Sequence, residues 1–302
     1  MAISRNIKPD RGLTYRMLMT GFFLVVLYGA VIGILIAVGL SFAFVLVIAF
    51  ALLFAQYWFS AKIAMYAMHA HEVTPEQAPE LHGVVDRLCA LADMPKPKVA
   101  VATTDIPNAF ATGRSPKAAV ICATRGIMRR LPDEELEAVL AHELSHVAHR
   151  DVAIMTIAST VGMLAGLISR IAMWGTMFSG GDRNGENLVL VEIIAMVVSF
   201  IIYIVSWLLT LALSRYRELS ADRSGAILIG KPSVLASALQ RITGDIARIP
   251  SRDLRKVETM NAFFFAPAVS GQSLAGLLST HPTLERRLEQ LAELEREMGR
   301  TA

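Results

Sequence analysis

The stretch VLAHELSHVAHRD, Val139 to Asp151, holds three histidines within eight residues and a glutamate beside the first. HELSH has the form His-Glu-x-x-His. On a helix, positions four apart lie about 40° around and about 6 Å along the axis. His142 and His146 therefore share a face and can hold one tetrahedral ion. Glu143, next to the first, can reach the attacking water. Two imidazoles on Zn²⁺ with a carboxylate as general base is the arrangement that hydrolyses peptide bonds in zinc peptidases. The competing reading is an ordinary helix rich in histidine, and residues elsewhere in the chain decide between the two.

A catalytic zinc takes three protein ligands and keeps one position open. His149 lies near the same face but about 10 Å along the axis from His142, too far for one ion on a straight helix. The longer H-E-x-x-H-x-x-G-x-x-H pattern fails as well, because Ala148 and Val152 stand where Gly and His belong. The better source is SRYRELSAD, Ser214 to Asp222. Glu218 and Asp222 are four apart, so both carboxylates share a helix face. One can ligate zinc while the other orients a ligating imidazole through its second nitrogen.

The elements that must position these residues follow from composition. The chain has 302 residues, 54% hydrophobic and only 18% charged, with a mean hydropathy of +0.49. That apolar excess fits a membrane protein. The net charge of +3 is too small to point to nucleic acid. Cys89 and Cys122 lack zinc-ribbon spacing and read as buried thiols. Four stretches reach the roughly 20 residues a bilayer requires: about Met17 to Gly39, about Phe42 to Ser60, one starting near Ala153 and fading between Ile168 and Phe178, and about Leu188 to Leu213. Arg5, Lys8, Arg11, Arg16, Lys62, Arg150, Arg215 and Arg217 flank one side, which predicts both termini and the soluble sequence in the cytoplasm. The third span leaves just after HELSH and the fourth returns just before SRYRELSAD. A helical hairpin thus brings the two motifs to one membrane face, which favours the zinc reading.

In the soluble sequence, TPEQAPELHGVVDRLCALADM predicts an amphipathic helix with Thr74 as N-cap and Leu81, Val85, Leu88 and Leu91 on one face. KVAVAT, NAFATG and AAVICAT predict three short strands in an antiparallel meander. Pro132 and the acids after it open a helix expected to run straight into the third span. The fold class is a mostly α integral membrane protein: four transmembrane helices and a cytoplasmic α+β zinc-peptidase domain with a small antiparallel sheet. The expected parts are an N-terminal hairpin (1–60), a part with the HExxH helix (61–152), a second hairpin (153–213) and a helical part with the third ligand (214–302).

These residues resemble the HtpX family of membrane zinc proteases, relatives of the CAAX prenyl proteases. The resemblance rests on NAFATGRSP, VLAHELSHVAHRD, SRYRELSAD, LLSTHPTLERR and the two hairpins. It implies His142, His146 and Glu218 as ligands of one Zn²⁺ per subunit, Glu143 as general base and Asp222 supporting a ligand, the HExxH-plus-distal-Glu or gluzincin pattern. It also implies a bacterial inner-membrane location and a stress role in clearing damaged or misfolded membrane proteins. Thr283 departs from the usual HPP, with no expected loss.

Extended peptides are commonly held by pairing to a sheet edge. NAFATG is the edge expected to do so, with Asn108 hydrogen-bonding a substrate carbonyl. His281, in the HP element, is the expected donor to the oxyanion. The partners are therefore polypeptides, membrane proteins foremost, and the lipid bilayer. A catalytically silent zinc scaffold is the rival reading, but it leaves Glu143 without a role. A transporter would need several ionisable residues within the spans. Only Arg170 and Glu192 qualify, and they are expected to pair across the second hairpin.

Overall fold

The computed structural model describes residues 11–37, 42–178, 186–248 and 279–301. Two compact units emerge, each built from interleaved pieces of the chain. One draws on Phe59–Val152 and Ser214–Ala302, the other on Tyr15–Trp58 and Ala153–Leu213.

The second unit consists of segments of four long helices: α1 (Arg11–Ala37), α2 (Phe42–Ala67), α6 (Asp151–Phe178) and α7 (Glu186–Ile229). Its interior packs Leu24, Ala158, Leu164, Ala165 and Ile202. Gly162 and Gly166 of α6 face Tyr203 and Ser206 of α7 at ordinary van der Waals spacing. Tyr28 Oη donates to Ile157 O at 2.6 Å, and Gln56 Nε2 donates to Ser159 Oγ at 2.8 Å. Large apolar side chains such as Val25, Phe50, Ile194 and Phe200 face outward, as lipid-facing residues do. Among the described residues, Tyr15–Gly33 and Met196–Ile229 are long and apolar enough to cross a membrane. At about 1.5 Å per residue, the 44 residues of α7 extend well beyond a hydrocarbon core. The expected fourth span and SRYRELSAD both fall within α7. The Arg170 and Glu192 side chains, expected to pair, lie outside what is described.

The first unit carries a four-stranded sheet of β1 (Ala70–Glu72), β2 (Lys98–Ala102), β3 (Ala109–Thr112) and β4 (Val120–Thr124). The order is β1-β2-β4-β3. β1 and β2 are antiparallel, β2 and β4 parallel, β3 and β4 antiparallel. The sheet is mixed, which corrects the expected meander. The cause lies in the two central strands, whose faces are both covered. Val99, Val101, Ile121 and Ala123 pack on α3 (Pro79–Ala92) and α5 (Asp133–Ala148), while Ala100, Ala102, Val120 and Cys122 meet Ala64 and Met68 of the α2 end. Strands buried on both faces read as unbroken apolar runs, typical of parallel pairing. β3 is left at one edge.

Two boundaries also differ from expectation. α3 starts at Pro79, not at Thr74. Residues before a proline avoid helical backbone, and Ala78 is non-helical (φ −144°, ψ 65°) while Thr74 instead closes a turn with Gln77. The HExxH helix α5 ends at Ala148, and Arg150 has φ +56°. The chain restarts as α6 at Asp151, so no continuous helix joins the motif to the third span. The remaining helices are α4 (Arg125–Arg130), α8 (Pro232–Ala247) and α9 (Leu284–Thr301).

Candidate metal centre

α5 lies buried between the sheet, α8 and α7, and its length from Ala138 to Ser145 is inaccessible. The approach of α7 depends on Gly225. A Cβ there would stand 2.8 Å from the Cα and N of His142, so only glycine allows the two helices this close.

That contact brings the three expected ligands together. One ligand atom each from His142, His146 and Glu218 falls within a 4.8 Å cluster. The two Nε2 atoms are 3.1 Å apart. Glu218 Oε2 lies 3.6 Å from His142 Nε2 and its Oε1 3.4 Å from His146 Nε2. Both imidazoles thus aim the same nitrogen at one point, and their other nitrogens are engaged elsewhere. His142 Nδ1 is 2.9 Å from Asp222 Oδ1, and His146 Nδ1 is 2.5 Å from Asp151 Oδ2. A carboxylate on Nδ1 fixes the tautomer that leaves Nε2 a free lone pair, as metal-bound histidines require. Two nitrogens and a carboxylate oxygen are also a donor set suited to zinc. The residues present fit a divalent ion.

Both carboxylates are themselves held by arginines. Arg287 of α9, fully buried, donates from Nε to Asp222 Oδ2 at 2.7 Å and from Nη2 to Oδ1 at 2.6 Å. Arg217 Nε lies 3.1 Å from Asp151 Oδ2. Burial opposes ionisation of Asp222, but the Arg287 charge outweighs it and holds the carboxyl below its ordinary range. Burial also opposes ionisation of Glu218, and the electrostatic pull of His281 and His146 prevails, keeping it well below its ordinary value. In the metal-free protein, burial disfavours a charged His146, yet Glu218 and Asp151 raise it to about 10. Two adjacent imidazoles among three buried carboxylates make a site that calls for a cation.

Glu143 is buried, and its Oε2 accepts from Ala111 N–H of β3 at 2.9 Å. Burial pushes its carboxyl up, against the opposing pull of His142 and His146. Asn108 O accepts from Thr124 N on the neighbouring strand. By the two-residue alternation of a strand, the backbone groups of Ala109 and Ala111 then point off the open edge, toward the site. A cavity of about 80 Å³ opens there, lined by the β3 edge together with Glu143, His146, Glu218 and His281.

His281 also reaches the centre, with Nδ1 3.1 Å from Glu218 Oε2. Asn108 is fully buried one residue before the cavity-lining part of β3, held by Thr124 through its backbone. His149 stays out of the cluster, its Nε2 3.2 Å from Ser224 Oγ. The sequence assigned no place at the metal centre to Asp151, Arg217, Arg287 or Gly225. An isolated glycine inside the helical pattern around Gly225 was a usable signal of close packing. Nothing local marked the two arginines, whose partners are far away in sequence.

A profile of Peptidase family M48 matches residues 75–295. The Protease HtpX homolog 1 of Streptomyces coelicolor is 53% identical over 295 residues, covering 97% of this chain and 96% of its own. The Protease HtpX homolog of Moorella thermoacetica is 49% identical over 296 residues, covering 97% and 98%. Among solved structures, the crystal structure of S. mikatae Ste24p aligns with a TM-score of 0.53 at 16% identity, over 93% of this chain and 66% of that one. At that identity the likeness is one of fold.

Proposed function

This chain belongs to Peptidase family M48 and is of the HtpX type, and from that we propose that it is a zinc endopeptidase anchored in a bacterial inner membrane by four helices. It cleaves misfolded or damaged membrane proteins at the cytoplasmic face. The observation that carries the reading is the convergence of His142, His146 and Glu218 beside a buried Glu143. The cytoplasmic orientation rests on the flanking cations in the sequence. The four parts, divided near residues 60, 152 and 213, follow the same reading.

His142, His146 and Glu218 would hold the ion, with Asp222 orienting His142. When bound, zinc supplies Lewis acidity toward the scissile carbonyl and makes water acidic enough to lose a proton near neutrality. The rest falls to the chain. A peptide laid along the β3 edge pairs with the outward backbone groups of Ala109 and the carbonyl of Ala111, whose N–H is held by Glu143 Oε2, with Asn108 assisting in substrate binding. Glu143 accepts the proton of the attacking water on its carboxylate and hands it to the departing amine. Its burial raises its proton affinity, which suits a group that must take a proton from water. His281 lines the cavity and donates to the developing oxyanion.

Glu143→Gln removes the base but no ligand. It should retain stoichiometric zinc and lose at least about 10²-fold in casein or self-cleavage. Substantial residual hydrolysis would refute the role of Glu143. His142→Ala, His146→Ala and Glu218→Ala should each lose metal together with activity.

A further inference from the structure

His146 is gripped from two sides by consecutive residues of α7. Glu218 Oε1 approaches its Nε2 at 3.4 Å. Arg217 reaches its Nδ1 through Asp151, with Arg217 Nε 3.1 Å from Asp151 Oδ2 and Asp151 Oδ2 2.5 Å from the ring. Asp151 is 2% exposed and Arg217 12% exposed at the side chain. Two neighbours on a helix point about 100° apart, so the two side chains approach the ring from different directions.

The chain breaks a helix to build this contact. In an unbroken helix, residue i+5 points about 140° away from residue i, so Asp151 would turn its back on His146. The break after Ala148 and the left-handed backbone of Arg150 swing Asp151 round to the ring. Left-handed backbone is unfavourable for a residue with a Cβ. It persists here without a glycine, and the contact with His146 is what it delivers. The result parallels the other arm: His142–Asp222–Arg287 and His146–Asp151–Arg217 are two imidazole–carboxylate–guanidinium chains. The first is sealed, with its aspartate and arginine at 0% and 2% exposure. The second lines the cavity.

We propose that Asp151 and Arg217 are positioning residues for the metal site, acting through His146, and that the break at Arg150 serves to place them. Resting on the zinc reading above, the inference adds that metal affinity is set by both arms and not by Asp222 alone. A charged carboxylate on Nδ1 raises the donor strength of Nε2 and fixes the ring, and loss of such a partner typically costs about 10–100-fold in metal affinity. Arg217 in turn fixes the carboxylate.

The test is equilibrium zinc binding to the full-length, metal-stripped protein in detergent, titrated with ZnCl₂ against a fluorescent chelator, with the melting temperature of the metal-free protein recorded alongside. Asp151→Asn should weaken zinc about 10–100-fold with the metal-free melting transition retained. Arg217→Gln should weaken it by a smaller factor, and Arg217→Lys should recover part of that loss. Because both act along one path, the double variant should bind no more weakly than Asp151→Asn alone. Asp151→Asn affinity within about twofold of wild type, or additive losses in the double variant, overturns the proposal. If Asp151→Asn shows no cooperative melting, Arg217→Gln decides: a folded Arg217→Gln with unchanged affinity overturns it, and a weakened one supports it. A wild-type chain that binds no zinc would instead refute the zinc reading itself, a distinguishable result.

Discussion

Arg287 is a buried cation that grips Asp222. Its guanidinium is fully buried, and both of its bonds to that carboxylate are 2.7 Å or shorter. Removing one member of a buried pair leaves the other charge stranded, at a cost of about 3–5 kcal/mol. Arg287→Met should therefore lower unfolding free energy by about 3 kcal/mol, read by denaturant melts in detergent, and weaken zinc through Asp222 and His142. Gly225→Ala should act through sterics alone, because the clash is with helix backbone and no side chain can yield. A loss of about 1–3 kcal/mol is expected, together with weaker zinc. Cys122 offers a contrast: burial pushes its thiol up to about 12. A thiol raised this way stays protonated well above the ordinary value, so Cys122 should resist maleimide labelling at pH 8 in the folded protein and label only on unfolding.

At the level of elements, the turn between α5 and α6 decides how the site is built. Glycine adopts left-handed backbone without the steric cost, so Arg150→Gly should keep zinc affinity and leave stability within about 1 kcal/mol of wild type. Arg150→Pro, whose φ is fixed near −65°, should displace Asp151 and weaken zinc. This turn was not legible in the sequence, since HRD holds neither glycine nor proline. The three strands KVAVAT, NAFATG and AAVICAT were legible because strand signals are local: β-branched runs bounded by turn residues. Their order was not, because pairing depends on what covers each face, and Ala64 and Met68 come from the end of a helix that reads only as a membrane span. HExxH was legible from four-residue spacing, and the Glu218–Asp222 pair only once the hairpin between the third and fourth spans brought it to the same membrane face. The arginines behind them were not, since a bidentate contact across 65 residues leaves no periodic trace.

At the level of the whole molecule, the two main stretches of the peptidase unit, Phe59–Val152 and Ser214–Ala302, are separated in sequence by a helical hairpin of the other unit. Reporters fused after Lys62 and after Ala302 should read out in the cytoplasm, and one inserted near Gly181 outside it. External exposure of residues 62–150 would overturn that orientation. The interleaving has a consequence for the order of events during synthesis. The histidine pair emerges from the ribosome first, Glu218 only after the whole second hairpin, and Arg287 near the very end of the chain. A nascent polypeptide lacking α9 has an unsupported Asp222 and no His281. On the roles proposed for Asp222 and His281, a chain that has not yet added α9 is expected to be inactive. A chain stopped after residue 278 should integrate into the membrane yet fail to cleave casein or itself.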